Sequence, residues 1–143
     1  MQILVARDCV MYFLDTNICI YFLNDEVPRI REHIRNLPRH EICLPSVVLA
    51  ELYYGAAKSR KRGYNLERYS RFAALYRVVA FDSTAARAYG DIRAQLEAKG
   101  QVIGGNDLMI AASAVAHGAV LVTNNVREFS RIHGLAVEDW TKR

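Results

Sequence analysis

Three acidic residues occupy positions from which they could do chemistry together. Asp15 directly follows the apolar run Tyr12-Phe13-Leu14, Glu51 lies inside the apolar stretch 47–54, and Asp107 leads the small-residue run 108–116. Each also has an ordinary explanation. Asp15 suits a turn or helix cap. Glu51 suits an ion pair with Arg87, Arg93 or another base, because a buried carboxylate without a partner is costly. Asp107 suits an N-cap, favoured by the helix dipole. Gathered at one rim, however, the three would repel one another, and an oxygen-only anionic pocket is what Mg²⁺ or Mn²⁺ takes. A cation held there can polarise a phosphoryl oxygen and activate water for in-line attack on a phosphodiester.

Such a site needs elements that bring residues 15, 51 and 107 together. Tyr12-Phe13-Leu14, Ile42-Cys43-Leu44, the run 77–81, Ala119-Val120-Leu121-Val122 and Leu135-Ala136-Val137 read as short strands. Helical segments alternate with them. Asn17 is placed to cap the first, Pro28 opens a second, Ser46 caps a third over 47–57, and one follows over 66–75. Asp82 or Ser83 caps a long helix with Ala86, Tyr89, Ile92 and Leu96 facing inward, and a helix over 107–117 stops at Gly118. Short apolar strands alternating with helices predict an α/β fold, a mostly parallel sheet flanked on both sides by helices. Ligands in such folds bind outside the carboxyl ends of the strands. Asp15 and the segment Thr123-Asn124-Asn125 both fall there.

At 143 residues the chain has the length of one domain, and it can bury roughly 70% of its unfolded surface without staples. Met11 precedes the first strong strand, so residues 1–10 are expected to be an extension and 11–140 the domain. Cys9, Cys19 and Cys43 are odd in number and lack metal-ligand spacing, which fits a reducing compartment. No apolar run reaches the roughly 20 residues that span a bilayer. The net charge of +4 raises the expectation of a polyanionic partner only modestly. More telling is the cluster Lys58, Arg60, Lys61 and Arg62, followed by Tyr64. It reads equally as a solvated loop or as a phosphate-contacting patch. Tyr53, Tyr54, Tyr64 and Tyr69 read either as stacking groups for RNA or as core and interface residues.

Beyond these local readings, the chain resembles a known family. Met11-Tyr-Phe-Leu-Asp-Thr-Asn is similar to the opening motif of the PIN-domain nucleases, in particular the VapC-type toxins of toxin–antitoxin systems. The segment 45–55 around Glu51 resembles their second acidic motif and 103–112 around Asp107 the third. Leu121-Val-Thr123-Asn124-Asn125-Val-Arg-Glu128-Phe129 resembles the fourth, and Gly134–Trp140 the closing strand. The resemblance covers residues 11–140 with the motifs in family order.

It implies a PIN-like three-layer sandwich and a Mg²⁺-dependent endoribonuclease of the prokaryotic cytoplasm, with Mn²⁺ able to substitute. It also implies a homodimer and a cognate VapB-type antitoxin. By position, Asp15 and Asp107 would be the principal metal ligands, Glu51 would complete the acidic pocket, and Thr123 and Asn125 would orient water or phosphate. The Thr-Asn-Asn-x-x-Glu-Phe form and the closing Glu-Asp-Trp are similar to the branch that cuts initiator tRNA in the anticodon stem-loop. Two departures stand out. Asn125 occupies a position where an aspartate is frequent, leaving Glu128 as a candidate fourth acid, and Gly104-Gly105 replaces a frequent proline. A phosphoacceptor receiver domain would need a lysine after a late strand, and none follows Val122. A non-catalytic RNA- or partner-binding module of the same fold is the remaining alternative.

Overall fold

The computed structural model describes residues 10–142, so the extension expected over 1–10, apart from Val10, and Cys9 lie outside the described residues. Within them five short strands form one sheet: β1 (Tyr12–Leu14), β2 (Ile42–Pro45), β3 (Arg77–Val79), β4 (Val120–Val122) and β5 (Ala136–Glu138). Their order is β3-β2-β1-β4-β5 and every pairing is parallel. Phe13 sits opposite both Cys43 and Leu121, which sets the register of the three central strands. Phe13, Leu14, Cys43, Leu44, Leu121 and Val122 are wholly buried, as strands covered on both faces require. The edges differ. Arg77 and Val78 of β3 and Ala136 and Glu138 of β5 are exposed, and β3 ends at Val79 rather than continuing to Phe81.

Seven helices among the described residues connect and flank the strands: α1 (Thr16–Leu23), α2 (Pro28–Arg35), α3 (Ser46–Lys58), α4 (Arg62–Leu75), α5 (Ser83–Ala98), α6 (Gly105–His117) and α7 (Val126–Phe129). No helix among the described residues is long and apolar enough to cross a membrane. Two expected caps are corrected. Asp15, not Asn17, caps α1, because the chain turns helical directly at the end of β1. Ser46 is the first residue of α3 rather than its cap, and its hydroxyl instead accepts from the Phe81 amide at 3.1 Å. Asp82 caps α5 as expected. That helix buries Ala85, Ile92 and Leu96, while Ala86 faces outward. The fourth helix starts at Arg62, not near 66, so the basic run spans the last residue of α3, the short turn after it and the first residue of α4.

Helix α6 is the inner helix. Leu108, Ile110, Ala111, Ala112, Ser113 and Ala114 are buried, and α5 packs alongside this helix. It ends at Gly118, whose φ of 62° is left-handed. The Gly118 and Ala119 amides return to the carbonyls of Val115 and Ala114, a closure that favours glycine. Helix ending and strand start are thus two residues apart, which delivers β4 beside β1.

The strand order reverses direction at β1: the chain proceeds to β2 and β3 on one side, then crosses to β4 and β5 on the other. The crevice between the carboxyl ends of β1 and β4 is therefore the topological switch point, where backbone diverges and a ligand can enter. Asp15 and Thr123 are the first residues beyond those two ends.

Candidate active site

Asp15 is only 6% exposed, yet each of its carboxylate oxygens accepts a hydrogen bond. Oδ1 accepts from the Thr16 amide at 2.8 Å, the bond that starts α1, and Oδ2 accepts from the hydroxyl of buried Thr123 at 2.6 Å. The Thr123 hydroxyl in turn accepts from the Asn125 amide at 3.0 Å. Burial raises the Asp15 pKa, the bonds from Thr123 and Thr16 oppose the rise, and the Glu51 and Glu128 carboxylates add to it. Three features of the switch point, namely a strand end, a helix start and the β4 turn, thus fix one carboxylate.

Glu51 reaches the same place from α3. It accepts a short hydrogen bond from the Thr16 hydroxyl and a second, at 3.2 Å, from the Asn106 amide. The apolar stretch 47–54 predicts a buried helix in which Glu51 needs a basic partner. Instead α3 buries only Val48, Leu52 and Ala56, and Glu51 is partly exposed at the wall of an open cleft. Among the described residues the salt bridges are Arg31–Asp25, Arg71–Glu67 and Arg93–Glu97, so the expected alternative of an Arg93 partner is excluded by its engagement with Glu97 and Tyr89. Arg87 lies elsewhere, beside Ser83 and Thr84.

Asp107 is the third residue of α6, in its first turn, with Gly104 rather than Asp107 as the cap. It shares a side-chain hydrogen bond with Glu128 of α7. Desolvation, that shared bond and the charges of Asp15, Glu128 and Glu51 push its pKa up to about 7. Of the two residues considered for a fourth acid, Glu128 stands against Asp107, whereas Asn125 contributes its backbone amide and has an exposed side chain.

The structure thus brings Asp15, Glu51, Asp107, Thr123 and Glu128 to one rim and adds two residues given no role from sequence, Thr16 and Asn106. Both side chains serve Glu51, but Thr16 is adjacent in sequence to Asp15 and Asn106 to Asp107, which is the one signal that could have found them. An open cleft of about 490 Å³ adjoins the rim, lined by Thr16, Val47, Glu51, Tyr54, Asn106 and Met109. The larger cavity, about 570 Å³, lies at the amino ends of the strands, where Arg31, Arg35 and Arg39 dominate and the lone acid, Asp25, is paired with Arg31. It offers none of the acidic chemistry.

Four carboxylates at one rim, two of them, Asp15 and Asp107, with raised pKa values, form a hard-oxygen donor set that fits a divalent cation. Among the described residues no group of three or more acidic, histidine or cysteine side chains is already arranged as a metal cage. The donors therefore stand near one another without having closed on a common point.

A doubly wound parallel sheet with an acidic crevice at its switch point is an arrangement suited to binding a divalent cation, and the PIN domain family model matches residues 12–135. The chain belongs to the PIN domain family. It is 41% identical to the Rickettsia felis protein named ribonuclease VapC2, over 93% of this chain and all of that one. It is 42% identical to the Shigella flexneri protein named tRNA(fMet)-specific endonuclease VapC, over 91% of this chain and 98% of that one. Its fold is similar to a crystal structure of DNA-bound VapBC from Salmonella typhimurium, with a TM-score of 0.87 and 43% identity over 92% of this chain and 98% of that one.

Proposed function

We propose that this protein is a divalent-metal-dependent endoribonuclease, the toxin of a type II toxin–antitoxin pair. Its substrate is structured RNA, with the anticodon stem-loop of initiator tRNA as the specific target. Its working unit is the domain over 11–140, acting as a homodimer in the prokaryotic cytoplasm and neutralised by a VapB-type antitoxin. The observation that carries the reading is the set of Asp15, Glu51, Asp107 and Glu128, none paired with a base among the described residues, at the switch point of the sheet. Relatives named ribonuclease VapC and tRNA(fMet)-specific endonuclease support the reaction and the substrate.

Asp15, Asp107 and Glu51 would hold Mg²⁺, with Glu128 beside them. Each Asp15 oxygen uses one lone pair on Thr16 or Thr123 and keeps another free. When bound, the cation neutralises charge on a phosphoryl oxygen and makes water more acidic. The chain's own residues do the rest. Thr123 fixes the Asp15 carboxylate in one rotamer, and Thr16 and Asn106 aim Glu51 at the crevice. Asp107, hydrogen-bonded to Glu128, has its pKa pushed up to about 7, so its proton can be given up or taken near neutral pH. It must leave for Asp107 to act as a ligand, so metal binding releases a proton.

The test is incubation of purified protein with total cellular RNA, with Mg²⁺ or with chelator, followed by mapping of cut ends. Cleavage concentrated in one stem-loop, abolished by chelator and by Asp15→Ala and Asp107→Asn, is expected. Undiminished cutting by either variant, both folded, contradicts the assignment.

A further inference from the structure

The acidic rim does not explain the rest of the α3 face that carries Glu51. Glu51, Tyr54 and Lys58 lie three and seven residues apart and therefore share one face, spanning about 10 Å. Tyr54 is 64% exposed and lines the same cleft as Glu51. The Lys58 ammonium stands over its ring, 4.9 Å from the centroid. Beyond Lys58 the chain turns through exposed Arg60, Lys61 and Arg62 into α4. There Tyr64, 60% exposed, carries Lys61 at 5.9 Å and Arg68 at 5.3 Å over its ring. Among the described residues none of Lys58, Arg60, Lys61 and Arg62 forms a salt bridge.

An exposed aromatic ring with a cation above it is a pair that can take the base and the phosphate of one nucleotide. Two such pairs in succession, the first opening into the acidic cleft, make a path with a direction. Ring stacking requires a base that has left its duplex partner, so the path suits unpaired nucleotides rather than a helix.

We infer that the α3 face and the α3–α4 turn form a track for single-stranded RNA leading to the acidic rim. Tyr54 stacks on the unpaired base nearest the scissile phosphate, Lys58 and Lys61 contact phosphates, and Tyr64 stacks further along. The inference rests on the ribonuclease reading and specifies how its substrate is seated. A contact between two copies of this chain would also cover exposed tyrosines, but it gives no reason for a stacked cation at each ring and a run of uncompensated positive charge leading from an acidic pocket.

The test measures binding separately from turnover. A fluorescein-labelled RNA stem-loop with an unpaired loop, and the same strand annealed to its complement, are titrated with the full chain in chelator and followed by anisotropy. The wild type is expected to prefer the stem-loop. Tyr54→Ala is expected to weaken stem-loop binding about tenfold and erase the preference, whereas Tyr54→Phe, which keeps the ring, restores both. Lys58→Gln with Lys61→Gln is expected to lower the slope of log K against log salt by about 1.4. With Mg²⁺ present, Tyr54→Ala is expected to raise KM by a similar factor while kcat moves less than about threefold. Unchanged stem-loop binding by Tyr54→Ala, or a changed sedimentation mass of the free protein with RNA binding intact, overturns the track and makes the patch a protein interface. Wild-type binding without any cleavage would instead count against the ribonuclease reading alone.

Discussion

Replacing Asp107 by asparagine should make the metal-free protein more stable at alkaline pH, which is unusual for a change in a candidate active site. Asp107 in the fold has a pKa of about 7 against an ordinary value of 3.8, so the folded state binds its proton more tightly than the unfolded state does. A raised acid of this kind favours folding most below its ordinary value, and the benefit is lost as pH climbs through the window from about 4 to 7. The whole shift corresponds to about 4 kcal/mol. Asp107 is only half-buried, and screening by water reduces the expected penalty at pH 8 to about 1–2 kcal/mol. In a protein of this length that amounts to roughly 3–8 °C in Tm. Asparagine keeps the size and, like the protonated acid, donates to Glu128 without a charge. Thermal unfolding in chelator from pH 5 to 8.5 should show the wild type losing stability through that window and the variant staying flatter, above the wild type at pH 8. Added Mg²⁺ should raise the wild type at pH 8 and leave the variant nearly unmoved. A variant less stable than wild type at pH 8, with equal pH dependence, would refute the claim that burial and the neighbouring carboxylates disfavour an ionised Asp107 at this rim.

Three further outcomes follow from the same geometry. Glu51→Gln should keep the fold, because its partners Thr16 and Asn106 are neutral, while lowering Mg²⁺ affinity about tenfold by calorimetry; a drop of many degrees in Tm in chelator would reinstate a structural ion pair. Thr123→Val removes the buried hydroxyl that accepts from Asn125 and donates to Asp15. Its loss should destabilise by about 1–3 kcal/mol and move the acid limb of the pH–rate profile to higher pH, since the Thr123 bond holds the Asp15 pKa down; an unmoved limb would deny Asp15 a role as an ionised ligand. Gly118→Ala, at a left-handed φ, should cost about 1 kcal/mol in chemical denaturation with RNA cleavage per folded molecule unchanged; a stabilising effect would mean that the turn does not set the α6–β4 junction.

What could be read from residues alone followed burial symmetry. The central strands stand out because covered faces demand unbroken apolar runs, and Asp15 and Thr123 stand out because they end such runs. The edge strands blur, since Arg77, Val78 and Glu138 meet solvent on a pattern that resembles a loop. Glu51 was legible as a candidate but for an incomplete reason. The apolar stretch 47–54 predicts a helix buried all round, whereas Tyr54, Gly55 and their neighbours leave one side open, and two neutral donors stand where a base is expected. The contact between Asp107 and Glu128 joins residues of two helices, and no local pattern encodes how α7 is turned toward α6. Asn125 shows the converse: its position in the motif was legible, but the described bond comes from its backbone amide and not from its side chain.

The most direct measurement is crystallographic. Crystals grown with Mn²⁺ and measured at its absorption edge should give an anomalous peak bounded by the carboxylates of Asp15, Glu51 and Asp107, missing in crystals of Asp15→Ala. A well-ordered crystal with Mn²⁺ bound only elsewhere, or with the three carboxylates turned away from one another, would contradict the account.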